Sequence, residues 1–165
     1  FFPDYQQASS VFKITALTVV LYTNSFGYQG LLMARGFEKT ISIIAFCALL
    51  LNIALSAFFV YAANVSFEYV IIATLITYLV YVFLLGTYGR KVLGLTSNFI
   101  ATAKDTYPLR MMIPFFISFL LVVLSLPDIY FVIPFFVYSF LNFKDVLKIK
   151  EIAIKVVENP NFIDI

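Results

Sequence analysis

Five long stretches of this chain hold no charged residue: Ile14–Ala34, Thr40–Ala63, Tyr69–Gly89, Met111–Pro127 and Ile129–Phe143. A helix rises about 1.5 Å per residue and a bilayer core is about 30 Å thick, so about 20 apolar residues cross it. The first three stretches reach that length unaided, and the last two draw on their flanks. Strands of a membrane barrel alternate apolar and polar residues over about 10 positions, whereas these runs are apolar on every face. The chain is 62% hydrophobic and 12% charged, where soluble domains carry roughly 25% charge. These facts predict an all-α integral membrane protein, residues 1–165 forming one membrane unit. Its five transmembrane helices are expected over 9–34, 40–63, 67–89, 108–126 and 129–144, with an amphipathic interfacial helix over 145–158.

The bases sort by gap. Arg35 and Lys39 follow the first stretch, Arg90, Lys91, Lys104 and Arg110 follow the third, and Lys144, Lys148, Lys150 and Lys155 follow the fifth. The alternate gaps hold only Lys13, with the acids Asp4, Glu68 and Asp128. Lys and Arg of short loops mark the cytoplasmic side. The chain is therefore expected to start outside, cross five times and end in the cytoplasm, with Arg35, Lys39, Arg90 and Lys91 on a cytoplasmic basic face. That alternation requires Met111–Phe143 to be a hairpin turning at Pro127-Asp128. A single bent crossing would put the tail lysines outside. Pro114 is expected in the first turn of its helix, where a missing N–H costs little, and Pro134 is expected to kink the last helix.

In the tail, Lys144, Lys148, Glu151, Lys155 and Glu158 recur at helical spacing, with Val146, Ile149, Ile152, Ala153 and Val156 on another face. Such a helix lies along headgroups with its lysines toward anionic lipid; a solvated connector is the plainer alternative. The Arg90–Arg110 loop mixes bases with Leu93, Leu95, Phe99 and Ile100 and is also a candidate to rest on the membrane. The bases read as loop charges, not as a nucleic-acid surface.

No Asp, Glu, Lys, Arg or His lies inside an uncharged stretch, so the ionisable groups that serve proton and ion coupling are not found there. The chain has no His and one Cys, Cys47, which leaves no metal-ligand spacing, nucleophile constellation or cofactor motif. Neither an enzyme nor a metal site is expected. What remains is neutral: Tyr22, Thr23, Asn24, Ser25, Tyr28 and Gln29, then Asn52 and Ser56, then Thr74, Thr77 and Tyr78. Asn24 and Tyr28, and Ser25 and Gln29, are i, i+4 neighbours, and Gly27 and Gly30 loosen the helix between them. Such a segment is tolerated where it faces a cavity or a partner helix. Tyr22, Asn24, Ser25, Tyr28, Gln29 and Asn52 are the substrate-cavity candidates; the competing reading is ordinary hydrogen bonding between helices. The first residues, Phe1-Phe2-Pro3-Asp4, carry no basic leader with a cleavage site, and the chain reads as the later part of something longer.

The order of segments resembles a known family. Phe1-Phe2-Pro3-Asp4-Tyr5-Gln6-Gln7-Ala8-Ser9 is similar to the external loop before a late helix in bacterial polysaccharide (O-antigen-type) flippases of the multidrug/oligosaccharidyl-lipid/polysaccharide superfamily. Leu31-Leu32-Met33-Ala34-Arg35-Gly36 with Glu38-Lys39 resembles the family's small-residue exit and basic turn. Leu50-Leu51-Asn52-Ile53-Ala54-Leu55 resembles its next, Asn-containing helix, and Ala73-Thr74-Leu75-Ile76-Thr77-Tyr78 the one after. Asn159-Pro160-Asn161-Phe162-Ile163-Asp164 resembles its tail. Ser56 stands where the family often has a second Asn. From Gly86 to Asp145 the likeness is one of topology.

The resemblance implies the C-terminal part of a 12–14-helix flippase fold in the bacterial cytoplasmic (inner) membrane. It implies alternating access that flips a polyprenyl-pyrophosphate-linked oligosaccharide for polysaccharide biosynthesis. The implied partners are the lipid bilayer, the N-terminal half of the same transporter and the polysaccharide polymerase machinery. Two other readings stay open: a drug exporter of the same superfamily, and a non-transporting scaffold of polysaccharide assembly.

Overall fold

A computed structural model describes residues 9–23, 25–65, 70–144 and 147–148, and every regular element among them is helical. In chain order they are α1 (Ser9–Thr23), α2 (Phe26–Ala34), α3 (Glu38–Ala57), α4 (Ile71–Val92), α5 (Phe99–Thr106), α6 (Leu109–Val123) and α7 (Val132–Leu141). A π-helical turn, Phe58–Ala62, extends α3, and a 3₁₀ turn, Asp128–Phe131, leads into α7. Two helices are long and apolar enough to cross a membrane, Glu38–Ala62 with 25 residues and Ile71–Val92 with 22. The pair α5 and α6, bent by 71°, makes a third candidate if it counts as one broken span. The amphipathic helix expected over 145–158 lies outside the described residues apart from Leu147 and Lys148.

The helix expected over 9–34 is two helices. Ser25 turns the chain: its N–H and its hydroxyl both donate to the Tyr22 carbonyl, at 2.9 and 2.7 Å. A side chain that bonds its own backbone competes with the helical ladder, and here it closes α1 one turn early. The helix resumes at Phe26, with Gln29 N–H donating to the Ser25 carbonyl at 2.9 Å. Gly36, at φ +74°, then stops α2, and Phe37 N–H reaches back to the Leu32 carbonyl at 2.8 Å. A left-handed glycine with that back-bond is a preferred helix stop because glycine has no Cβ to clash.

α4 is the hub against which α1, α2, α3 and α5 pack. Ile14, Leu17 and Leu21 of α1 meet Leu75 of α4 and Met112, Phe115 and Val122 of α6. At the other end, Leu32 of α2 and Ile41, Ile44 and Ala48 of α3 meet Tyr81, Val82 and Leu85. The far side of α3 is bare: Ile43, Phe46, Leu50 and Ile53 are each more than half exposed. An apolar face of that kind suits lipid or further helices and not water.

α6 and α7 pack on each other antiparallel, Ser118 sharing a cavity with Phe131 and Arg110 sharing one with Asn142. The pair has the antiparallel arrangement expected of the hairpin, with α6 and α7 each shorter than a membrane span. Lys13 donates to Asp128 at 2.5 Å and so brings the start of α1 beside the hairpin turn. Both residues belong to gaps that the charge pattern assigns to one side. Pro114 departs from expectation. α6 begins at Leu109, so Pro114 is its sixth residue and falls in the second turn, where the helix loses a rung. Pro134 is the third residue of α7, where its missing N–H is harmless and needs no kink.

The Arg90–Arg110 loop contains an unexpected helix. Asn98 caps α5 by accepting from Ala101 N–H at 2.8 Å. Thr102 and Thr106, each 1% exposed, lie against Gly86 of α4, where a methyl group would overlap the Thr106 hydroxyl.

Candidate functional site

Along α4, polar side chains gather in two places. The first is a groove of about 250 Å³ bounded by α1, α3 and α4. Positions 45, 48, 49 and 52 present one face of α3, and positions 74, 77, 78 and 81 one face of α4, at the spacing that aligns side chains along a helix. Ala45 and Ala48 are small and leave the space open; Tyr22, Tyr78 and Tyr81 supply aromatic walls. The Tyr22 and Tyr78 rings meet edge to face at 5.6 Å between centroids.

The polar floor of the groove is Asn52. Its amide nitrogen donates to Thr74 Oγ1 at 3.1 Å and, more weakly, to Thr77 Oγ1 at 3.5 Å. Thr77 in turn donates to the Ala73 carbonyl at 2.8 Å, which uses its only proton and leaves its oxygen to accept. The orientation of the Asn52 amide follows from that arrangement. Its carbonyl oxygen takes part in neither bond to the threonines. Among the described residues, no charged side chain lines the groove. Neutral donors and acceptors between aromatic faces can hold a neutral polyhydroxylated ligand by hydrogen bonds and ring contact. They offer nothing to hold a cation by charge.

The second place is a knot at the far end of α4. Arg90 is only 7% exposed. Its Nε and Nη2 donate to the Thr96 carbonyl at 2.9 and 2.7 Å, and its Nη1 pairs with Asp105. Tyr28 interacts with both Arg90 and Asp105, and its ring covers Gly89, where a methyl would overlap it. The knot therefore joins α2, α4, the 95–98 loop and α5.

The residues picked from sequence thus separate. Tyr22 and Asn52 share the groove. Ser25 is fully buried and serves the turn after α1. Tyr28 belongs to the Arg90 knot. Gln29 keeps its side-chain oxygen buried with no hydrogen-bond partner among the described residues. Asn24 lies outside the described residues. Of the basic face, Arg35, Lys39 and Lys91 are exposed, but Arg90 turns inward because Thr96 and Asp105 satisfy its guanidinium. Thr74 and Thr77 accept from Asn52 across helices, Tyr78 meets the Tyr22 ring, and all three also line the groove. Tyr81 and Asp105 were missed. The signal for Tyr81 was its heptad spacing from Thr74; Asp105 has none without the α5 fold. Among the described residues there is no group of three or more side chains able to hold a metal. No family model, curated protein or solved structure matches this chain.

Proposed function

We propose that the chain is part of a membrane flippase for polyprenyl-pyrophosphate-linked oligosaccharides, with the groove between α1, α3 and α4 touching the sugar. The resemblance of the Leu31–Gly36, Leu50–Leu55 and Ala73–Tyr78 segments to polysaccharide flippases supports the family. The observation that carries the site is the Asn52–Thr74–Thr77 cluster beside three tyrosines in an uncharged groove. Sugar hydroxyls match such neutral partners, and the apolar flanks of a sugar ring match tyrosine faces. The pyrophosphate would be met elsewhere, since no described residue of the groove is a cation.

The test is transbilayer movement of a short polyprenyl-pyrophosphate oligosaccharide in proteoliposomes containing the whole native protein. Asn52→Leu keeps the number and branching of the side-chain heavy atoms and removes the amide. It is expected to slow flipping by about tenfold or more, the loss of one or two hydrogen bonds to a bound sugar, with unchanged insertion. An unaltered rate in Asn52→Leu would remove the groove from the mechanism. A wild-type protein that moves no lipid-linked sugar would remove the function itself.

A further inference from the structure

The turn between α2 and α3 and the end of α4 enclose a cavity of about 310 Å³. Gly36 makes that turn, and the Phe37 N–H bonded to the Leu32 carbonyl fixes it. Leu32, Phe37 and Val92 give the cavity apolar walls. Its polar groups are Thr40, from the first turn of α3, and Tyr88 and Lys91, from the end of α4. All three can donate hydrogen bonds, and among the described residues none of them has a hydrogen-bond or ion-pair partner. No acidic side chain is among the described residues that line the cavity. Glu38 shares a turn with Thr40, but it is exposed, stands outside the lining and has Lys39 beside it.

The depth of the cavity suits a lipid headgroup. α3 with its π-helical extension has 25 residues and α4 has 22, or about 37 and 33 Å of helix. A bilayer core is about 30 Å thick. Thr40 stands at the start of one helix and Lys91 at the end of the other. In a bilayer their shared end therefore lies at the interface, level with the phosphates. The apolar side chains that follow Thr40 along α3 are Ile43, Phe46 and Leu50, at spacings of three, three and four, and each is more than half exposed.

We propose that this cavity binds the phosphate of an anionic phospholipid, with Lys91 supplying the charge and Thr40 and Tyr88 donating to the phosphate oxygens. The occupant is a lipid and not free phosphate because the cavity opens onto that apolar track, which gives an acyl chain its path from the headgroup into the bilayer. The site stands on its own geometry and does not depend on what the protein transports.

The test is native mass spectrometry of the full protein in detergent, titrated with phosphatidylglycerol, phosphatidylcholine and inorganic phosphate. Phosphatidylglycerol is expected to bind in preference to phosphatidylcholine. Lys91→Gln is expected to weaken it by about fivefold. The double variant Thr40→Val, Tyr88→Phe keeps every charge and is also expected to weaken it, by about fivefold or more. Lys104→Gln removes the same charge from α5, which supplies none of the lining, and is expected to bind as the native chain does. An equal loss in Lys104→Gln, or full binding by the double variant, would overturn the cavity in favour of general surface charge. Undiminished binding by Lys91→Gln, or no preference for phosphatidylglycerol, would remove the anion site altogether. Competition by inorganic phosphate at lipid-like concentration would overturn the lipid assignment. If the double variant fails to insert, Tyr88→Phe alone carries the same test, since that side chain is exposed.

Discussion

Arg90 shows how one side chain ties several segments together. Its guanidinium meets a carbonyl with two N–H groups and a carboxylate with a third, a forked geometry that lysine cannot reproduce. Arg90→Lys is therefore expected to destabilise the protein by about 1–3 kcal/mol despite keeping the charge. Asp105→Asn is expected to cost less, because the Asp105 side chain is 44% exposed and water screens the pair. Thermal unfolding in detergent ranks the two, and the opposite order would place the stabilisation in the ion pair instead of the carbonyl bonds. Gly89 makes a second test. Alanine favours helices over glycine, yet Gly89→Ala puts a methyl into the Tyr28 ring and is expected to lose about 1–3 kcal/mol. Tyr28→Ala in the same chain should recover part of that loss, a coupling that a double-mutant cycle measures directly. If the two changes simply add, the ring does not depend on the missing Cβ.

Helix ends decide where the elements stop, and they do so by different chemistry. α4 ends at Gly94, φ +69°, with Leu95 N–H donating to the Arg90 carbonyl at 3.0 Å. α6 ends the same way at Ser125, φ +51°, with Leu126 N–H donating to the Leu121 carbonyl at 3.1 Å. Serine in that left-handed region bears a steric penalty of about 1–2 kcal/mol that glycine avoids. Ser125→Gly is expected to stabilise the hairpin by about 0.5–1 kcal/mol, after glycine's own entropy cost, and a lower unfolding temperature would contradict this. α3 and α4 were legible in sequence because each is one uninterrupted apolar run bounded by charge or loop residues. The break after α1 was not, because hydropathy is blind to it. Its cue was Thr23-Asn24-Ser25, residue types that bond their own backbone, and the polar cluster was read instead as a cavity lining. α5 was missed because its eight residues carry little hydropathy signal; Asn98 as a cap and Pro108 as a stop were the available cues. Of the six polar and aromatic residues of the groove, two, Tyr22 and Asn52, were visible as cavity lining. The remainder needed the pairing of α3 with α4, since no local pattern says which threonine an asparagine will face.

At the scale of the whole molecule, the question is how the helices sit in a bilayer. By length and composition two of them, or three with the bent pair, can cross one, while the charge pattern asks for five crossings. The two are compatible if α1–α2 is one broken span and α6–α7 a short hairpin in a thinned bilayer. The Lys13–Asp128 contact favours this, because it holds two residues of like-sided gaps together. Single cysteines decide it, with Cys47 replaced by Ala because its thiol is free and exposed. A membrane-impermeant maleimide is expected to label Lys13→Cys and Asp128→Cys in intact cells. Arg35→Cys, Lys91→Cys and Lys144→Cys should react only after permeabilisation. Breaking the Lys13–Asp128 pair costs under about 1 kcal/mol at such exposure, so neither outer variant threatens the fold. Labelling of Lys144→Cys from outside would mean that α6 and α7 cross once as a bent helix. Arg110 and Lys144 would then lie on opposite sides of the bilayer, and the tail lysines would lie against the external surface. Protection of Asp128→Cys from both sides would instead bury the hairpin turn within the bilayer, leaving α6–α7 as a re-entrant pair.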